Sequence, residues 1–217
     1  MQSHEFELLR FYADDAENRR YHGVNHILDL LQLMHQNSCR GLEPLPVESW
    51  PNPVSMGFGL TPLMTVPNIV QAAIFGHDII YDTNRGDNEE VSARITKEIL
   101  VKHGWHEHVA EIVHGFIIAT KNHTVPQDFH GQLHDTCAIF LSMDLSPLAV
   151  EWEMFSKNTD NINYEYRQYP IEQRRDGRRK FYETMLDKKV IFPHELAETT
   201  WGGQARRNME RGLKDLS

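Results

Sequence analysis

The chain has 217 residues and a mass of 25.3 kDa, with 31 acidic against 22 basic side chains and a formal charge of −9. This acidic balance excludes a general binder of nucleic acids or of anionic membrane surfaces, because both functions need a basic face. Apolar residues make up 40% and charged residues 24%, which excludes a disordered or fibrous chain and is typical of a domain with one large core.

The spacing of apolar residues is helical throughout and predicts an all-α fold. The pattern predicts helices, in chain order, over 3–19, 24–37, 67–82, 88–103, 106–120, 132–144, 147–159, 163–189 and 203–214. Asp87 with Glu90 predicts a capping box, and Ser146-Pro147 predicts an N-cap followed by proline in the first turn. We expect a single domain over 1–217, in which residues 163–217 form C-terminal helices packed on the core.

One segment interrupts the helical pattern. Between Cys39 and Pro67 lie six of the ten prolines, together with Gly57 and Gly59. A long loop inside a helical domain is either a tolerated surface insertion or a functional element, such as a lid whose aromatic and methionine side chains cover a ligand. Both interpretations stay open.

The predicted helix 67–82 is apolar nearly all round, which indicates that it is buried. His77 and Asp78 nevertheless lie in its last turns, where an unpaired carboxylate would cost several kcal/mol. Asp78 and Asp82, four residues apart, would also repel each other at a helix C-terminus. A bound cation would remove these costs. The alternative is that Asp78 pairs with a buried arginine and that His77 bonds a backbone carbonyl.

Two further polar residues lie where apolar ones are expected. His26 shares its side of the predicted helix 24–37 with Leu30 and Leu33, opposite a second apolar stripe. Asp144 lies near the centre of the apolar stripe of helix 132–144, where a carboxylate is rare unless it is paired, here with a metal or with a Lys or Arg. His26, His77, Asp78 and Asp144 thus form a mixed nitrogen and oxygen ligand set. Such a set suits one divalent transition metal (Mn, Fe, Co, Ni or Zn) and, less well, Mg.

This pattern resembles the H…HD…D signature of the HD superfamily of metal-dependent phosphohydrolases. It looks closest to an uncharacterised bacterial branch of predicted phosphohydrolases, and the resemblance covers nearly the whole chain. The matching stretches are Arg20-Tyr21-His22, His26-Ile27, the run 75–82, Asp87-Asn88-Glu89-Glu90 with Ser92-Ala93, Ala119-Thr120-Lys121 with His123, Asp144-Leu145, Glu165-Tyr166, Gly177-Arg178, Ile191-Phe192 and Ala205-Arg206 with Asn208. Two departures are the long Pro-rich segment and Gly76, where we expect a bulkier residue.

The resemblance implies an all-helical HD domain with a metal at its centre, held by the four signature residues. It also implies hydrolysis of a small phosphorylated substrate, with a nucleotide as the expected class. Relatives that hydrolyse guanosine tetraphosphate carry a Glu-Asp pair just after their HD dipeptide. Here those positions are Tyr81-Asp82, which argues against that substrate.

Four residues are predicted to act beside the metal. Asp82 is the candidate to orient or deprotonate the attacking water, unless it only faces solvent. Lys121 and His123, at the end of helix 106–120, are candidates to bind the substrate, although cations also favour that position because of the helix dipole. Five of the seven residues from Arg174 to Lys180 are basic. Such a run is typical of a solvated helix face, and Arg178 is the member expected to reach the substrate.

Two other functions stay open beside the hydrolase. One is a non-catalytic HD module that binds metal and nucleotide as a sensor or scaffold. The other is a di-iron oxygenase of HD type, which would need extra histidine ligands; His114 and His123 are the candidates. We favour one metal, because His114 lies at the edge of its apolar stripe.

The cysteine content and the N-terminus predict the location. Cys39 and Cys137 cannot form a disulfide framework, and residues 1–10 contain no apolar core of a signal peptide. The apolar run 69–80 is too short to cross a bilayer. We therefore expect a cytoplasmic protein with no membrane and no nucleic-acid partner. A homo-oligomer is left open, with an exposed Trp201 and the Pro-rich segment as candidates for the contact.

Overall fold

A computed structural model describes residues 2–34 and 66–216 of the chain. The helices are α1 (Ser3–Asp14), α2 (Val24–Met34), α3 (Val66–Gly76), α4 (Asn88–Lys102), α5 (Glu107–Thr120), α6 (Gly131–Asp144), α7 (Trp152–Glu165), α8 (Ile171–Asp187) and α9 (Glu195–Asp215), with a 3-10 turn over Ser146–Leu148. The described residues contain no strand. The predicted all-α class is therefore confirmed.

Helix α3 forms the centre of the fold, as its apolar composition predicts. Its side chains from Ile69 to Phe75 are almost fully buried, apart from Gln71, and the helix packs against α1, α2, α5 and α6. One contiguous core runs from Leu8 of α1 through α3 to Met209 of α9. Polar groups held by α3 and its neighbours are thereby removed from bulk water.

The prediction that α3 continues to residue 82 is wrong. The helix ends at Gly76, because side chains from two other segments form hydrogen bonds with the backbone groups of residues 78–80. Arg19 donates to the carbonyls of Asp78 (2.5 Å) and Ile79 (2.9 Å), and Ile80 N donates to the hydroxyl of Ser92 at 3.1 Å. Asp78 and Asp82 therefore do not share one helix face. The buried arginine binds the backbone around Asp78 and not its carboxylate.

Other helix boundaries also differ from the predictions. Residues 146–148 form a separate 3-10 turn, in which Ser146 is not a side-chain cap, and α7 and α8 meet at 166–170. Helix α9 begins at Glu195, eight residues earlier than predicted. The capping box of α4 is absent: Asp87 is the N-cap, but its carboxylate accepts from Arg85 at 2.9 Å.

Trp201 is not exposed, contrary to our expectation. It is 2% exposed and lies edge-on to Phe192, with ring centroids 5.6 Å apart. It therefore cannot contribute to a contact between copies. The Pro-rich segment 39–67, except its last two residues, lies outside the described residues. None of the described helices is long and apolar enough to span a membrane.

Gly76 allows α3 and α4 to come into close contact at the end of α3 that precedes His77 and Asp78. A Cβ added there would lie 2.5 Å from two atoms of the Thr96 side chain, which bonds the Gly76 carbonyl through Oγ1 at 3.2 Å. The bulkier residue expected from the resemblance would not fit. We expect Gly76→Ala to lower the free energy of unfolding by about 1–3 kcal/mol, the usual cost of overpacking.

The matched control for this substitution is Gly177→Ala in α8. Nothing lies within 4 Å of an added Cβ at Gly177. We expect this change to raise stability by about 0.5–1 kcal/mol, because alanine loses less backbone entropy than glycine in a helix. Urea unfolding measures the free energy of unfolding of both variants. The same change in both would contradict the close contact at Gly76.

Candidate metal centre

The four predicted ligands converge from three parts of the chain. His26 lies in the first turn of α2, His77 and Asp78 follow the end of α3, and Asp144 is the last residue of α6. Asp144 Oδ1 lies 3.1 Å from His26 Nε2 and 3.5 Å from His77 Nε2, while Asp78 Oδ2 lies 3.1 Å from His77 Nε2. One ligand atom each from His26, His77 and Asp144 lies within 4.8 Å of the others.

The ring of His77 is held in one orientation. Its Nδ1 lies 2.9 Å from the carbonyl of Ile74, to which it can donate a hydrogen bond, and the residue is 2% exposed. The other ring nitrogen, Nε2, lies 3.1 Å from Asp78 Oδ2 and 3.5 Å from Asp144 Oδ1. It is buried, and despite these short distances it makes no hydrogen bond of good geometry within the described residues. A backbone bond at one nitrogen and a free second nitrogen are typical of a metal-binding histidine.

The electrostatics of the cluster favour a positive charge at its centre. Burial alone would lower the pKa of His77, but Asp78 and Asp144 outweigh it and raise that pKa well above its ordinary value. Burial would likewise raise the pKa of both carboxyls. The positive charge of His77 instead lowers the pKa of Asp78 to about 2 and that of Asp144 well below its usual range. The two carboxylates therefore need a cation between them, either a proton on His77 or a metal.

His123, predicted to bind substrate, belongs to the cluster itself. Its Nε2 lies 3.0 Å from Asp144 Oδ2. The residue follows α5 in a left-handed conformation, with φ of 48°, which costs a non-glycine residue about 1–2 kcal/mol. This conformation turns the ring toward Asp144. The sequence signals for it are the matched stretch 119–123 and the position of His123 as a candidate ligand of a second metal.

These side chains fit a first-row transition metal. Ligand atoms of His26, His77 and Asp144 lie close enough together to share an ion, while Asp78 lies 3.1 Å from His77 and His123 lies 3.0 Å from Asp144. This mixture of nitrogen and oxygen donors suits Mn, Fe, Co, Ni or Zn. His77 and Asp144 are nearly enclosed, whereas His123 is partly exposed. The open side of the cluster faces a cavity of about 580 Å³, within the size range of small-molecule sites.

His22 also lines the cavity, although its sequence context does not single it out as a site residue. Its Nδ1 lies 2.7 Å from Glu165 Oε2, and its ring stacks on Tyr81 with centroids 3.9 Å apart. Glu165 also accepts the backbone N–H groups of Tyr21 (2.6 Å) and His22 (2.9 Å). Helix α2 begins at Val24, so His22 and Gly23 lie before its first residue. In the sequence, Glu165 is indicated only by the stretch Glu165-Tyr166, which resembles the HD branch.

The structure does not bring every predicted residue to the cavity. The carboxylate of Asp82 is exposed and accepts from the backbone and side chain of Asn84 at 2.9 and 3.0 Å. Lys121 pairs with Glu90 and donates to the carbonyl of Gly86 at 2.8 Å. Neither lines the cavity, because Asp82 is bonded to Asn84 and Lys121 to Gly86 and Glu90. Arg178 does line it.

His114, the other candidate for a second metal, lies outside the cluster. Its Nδ1 is 3.8 Å from Glu111 of the same helix, and it does not line the cavity.

The acid–base properties of the cluster predict how metal affinity depends on pH. A metal ligand must be neutral imidazole, so binding displaces the proton that His77 holds. Without metal, the stability contributed by the raised pKa of His77 is fully present below about pH 6.5, the unfolded-state pKa, and is lost as pH rises through the folded pKa. The lowered pKa of Asp78 contributes stability that is fully present above about pH 4, near the ordinary pKa, and is lost as pH falls through the folded pKa of about 2.

We therefore expect the affinity for Zn or Mn to rise with pH, by up to about tenfold per unit for each proton released. The gain in melting temperature on adding metal should be larger at pH 8 than at pH 6. Calorimetric titrations at both values check this. The same affinity at both would contradict a protonated His77 in the metal-free cluster.

Comparison of the chain with known protein families, with curated proteins and with solved structures found no match.

Proposed function

We propose that the chain is a metal-dependent phosphohydrolase of HD type, acting on a small phosphorylated molecule, with nucleotides as the first class to test. The observation that carries the proposal is the buried Nε2 of His77, which lies 3.1 Å from Asp78 and 3.5 Å from Asp144 yet makes no hydrogen bond within the described residues. His26 and His123 complete a mixed donor set beside a cavity large enough for a nucleotide. A cytoplasmic location belongs to the same proposal.

His26, His77, Asp78 and Asp144 would hold the metal, with His123 as a fifth donor. A divalent metal there lowers the pKa of bound water and neutralises charge on phosphoryl oxygens. The protein side chains supply orientation. The Ile74 carbonyl fixes the tautomer of His77, and the aromatic rings of Tyr21 and Tyr81 narrow the space around His22 and His26.

His22 is our candidate for proton transfer, in place of Asp82. Glu165 binds its Nδ1, which leaves Nε2 for exchange with a substrate or water in the cavity. Glu165 has 1% side-chain exposure, so it can stabilise the charged imidazole without competition from bulk water. A histidine oriented by a buried carboxylate is a common general acid or base near neutral pH.

The position of Asp82 favours a second candidate function. Because the expected acid is exposed and bound to Asn84, the site could bind metal and nucleotide without hydrolysis, as a sensor or scaffold. This alternative predicts binding of both ligands by calorimetry and no release of phosphate.

The test measures phosphate release by the full chain loaded with Mn, Co, Ni, Zn or Mg, over nucleoside mono-, di- and triphosphates and sugar phosphates. We expect turnover in the wild-type protein and a loss of at least about 100-fold in His77→Ala. The control is His114→Ala, which removes an imidazole outside the cluster.

Equal rates for wild type and His77→Ala would contradict the proposal. Binding of metal and nucleotide with no turnover would favour the sensor. Two metals per chain with an iron signal would favour the oxygenase.

A further inference from the structure

The four arginines of α8 point to two different places. Arg175 and Arg179 both donate through Nη2 to the carbonyl of Leu216, each at 3.0 Å, and so hold the end of α9. Arg174 and Arg178 line the cavity. They are one helical turn apart and therefore share a face of the helix. The basic run 174–180 is not a single solvated face.

Among the described residues, neither cavity arginine has an acidic partner. Arg174 donates through Nη1 to the carbonyl of Asn163 at 3.0 Å, and Arg178 lies 5.8 Å from the ring centroid of Tyr182. No carboxylate of residues 2–34 or 66–216 lies within 4.0 Å of the guanidinium nitrogens of either residue. The α7 and α8 part of the cavity wall contains no Asp or Glu. This wall thus carries two positive charges, opposite in sign to the acidic metal cluster.

The same wall holds two buried donors without partners. Within the described ranges, neither Asn158 Nδ2 nor Arg174 Nε has a hydrogen-bond partner, and Asn158 is 6% exposed. An unsatisfied buried donor is costly, so such groups are usually paired by water or ligand. These donors lie on the same wall as two guanidinium groups. Because all of these groups donate hydrogen bonds, the wall favours a ligand whose oxygens accept them.

We propose that the α7–α8 wall is a second anion subsite, in which Arg174, Arg178 and Asn158 bind a phosphate or carboxylate. Guanidinium groups bind such oxyanions with paired, charge-assisted hydrogen bonds. The proposed hydrolase then acts on substrates with two anionic groups, one at the metal cluster and one at this wall. This statement about substrates rests on the proposed function, whereas binding of an anion to the wall does not.

The first experiment titrates inorganic phosphate into the full chain in the presence of a chelator, followed by calorimetry. Without metal, the two carboxylates of the cluster repel phosphate. Phosphate that binds under these conditions therefore reports binding at the α7–α8 wall. We expect Arg174→Gln with Arg178→Gln to weaken binding at least about tenfold, because charged hydrogen bonds are lost. The charge-matched control, Arg175→Gln with Arg179→Gln, should change it less than about twofold, since surface charges act weakly.

Equal losses in both pairs, or no phosphate binding by the wild type, would overturn the proposal. If the first pair does not fold, Arg178→Gln alone is titrated, and we expect at least about a threefold loss. An unchanged affinity in that variant would overturn the proposal equally.

The second experiment compares kcat/KM of the metal-loaded protein for substrates with one and two anionic groups. Glycerol 3-phosphate is paired with 3-phosphoglycerate, and a nucleoside 5′-monophosphate with the 3′,5′-bisphosphate, so the two pairs distinguish a carboxylate from a phosphate. We expect a higher kcat/KM for the substrate with two anionic groups in at least one of the pairs. We expect Arg178→Gln to abolish this preference. Hydrolysis without any such preference overturns the proposal. If the wild type hydrolyses nothing, the proposed function fails and the phosphate titration still decides the subsite.

Discussion

Replacing Asp144 by Asn is expected to lower metal affinity at least about 100-fold, more than the loss typical of residues that only support a ligand. Asp144 is where the parts of the cluster meet: its oxygens lie 3.1, 3.5 and 3.0 Å from Nε2 of His26, His77 and His123. Asparagine keeps the shape and one acceptor oxygen but removes the charge. The metal would then bind one carboxylate and three neutral rings in a partly enclosed site.

The control for this change is Asp135→Asn, the same substitution on the same helix. Asp135 is exposed and pairs with His134 at 3.2 Å. Metal titration by calorimetry and metal analysis of the purified proteins compare the two variants. Equal affinity of Asp144→Asn and wild type would contradict the assignment of Asp144 as a ligand. A loss confined to this variant, with an unchanged circular dichroism spectrum, would support it.

Replacing Glu165 by Ala is expected to lower the free energy of unfolding by about 3 kcal/mol, since it leaves three partly buried donors without their acceptor. The carboxylate accepts from Tyr21 N, His22 N and His22 Nδ1 within 2.9 Å. For a chain of this size that is about 6–12 °C in melting temperature. If His22 transfers a proton, the pH–rate profile changes as well, because the ring loses its orientation.

Glu198 offers a structural control in α9. Its Oε2 accepts the N–H groups of Ile191 and Phe192 at 2.8 and 2.9 Å, an anchor like that of Glu165 but one that does not line the cavity. We expect Glu198→Ala to lower stability and to leave the pH–rate profile unchanged. The assigned role of His22 fails if both variants, or neither, change the profile. Thermal unfolding and rates between pH 5 and 9 make the comparison.

Much of the candidate metal cluster could be predicted from local pattern. His26, His77, Asp78 and Asp144 each lie in a sequence stretch whose periodicity places apolar residues inside. A charged or polar group among buried residues needs a partner wherever the chain folds. Burial of each residue is predicted from its neighbours in sequence alone. Because each buried polar group needs a partner, the four residues could be predicted to meet although they are far apart in the chain.

The positions of other candidate site residues depend on tertiary contacts, which the spacing of apolar residues does not reveal. The apolar Ile79 and Ile80 continue the pattern of α3, yet Arg19 binds the carbonyls of Asp78 and Ile79 and ends the helix there. This difference moved Asp82 out of the site. His22 similarly acquires its role from Glu165, 143 residues away.

The sequence by itself determined the helical class, the burial of α3 and the need for a positive charge near Asp78 and Asp144, because these follow from spacing and desolvation. Only the tertiary structure decided that His123 joins the cluster, that Lys121 is held by Glu90, and that the arginines of α8 divide between the cavity and α9. The physical reason is that a side chain's partner is set by packing between elements. The 3.6-residue period defines the buried face of a helix but not the group that it meets.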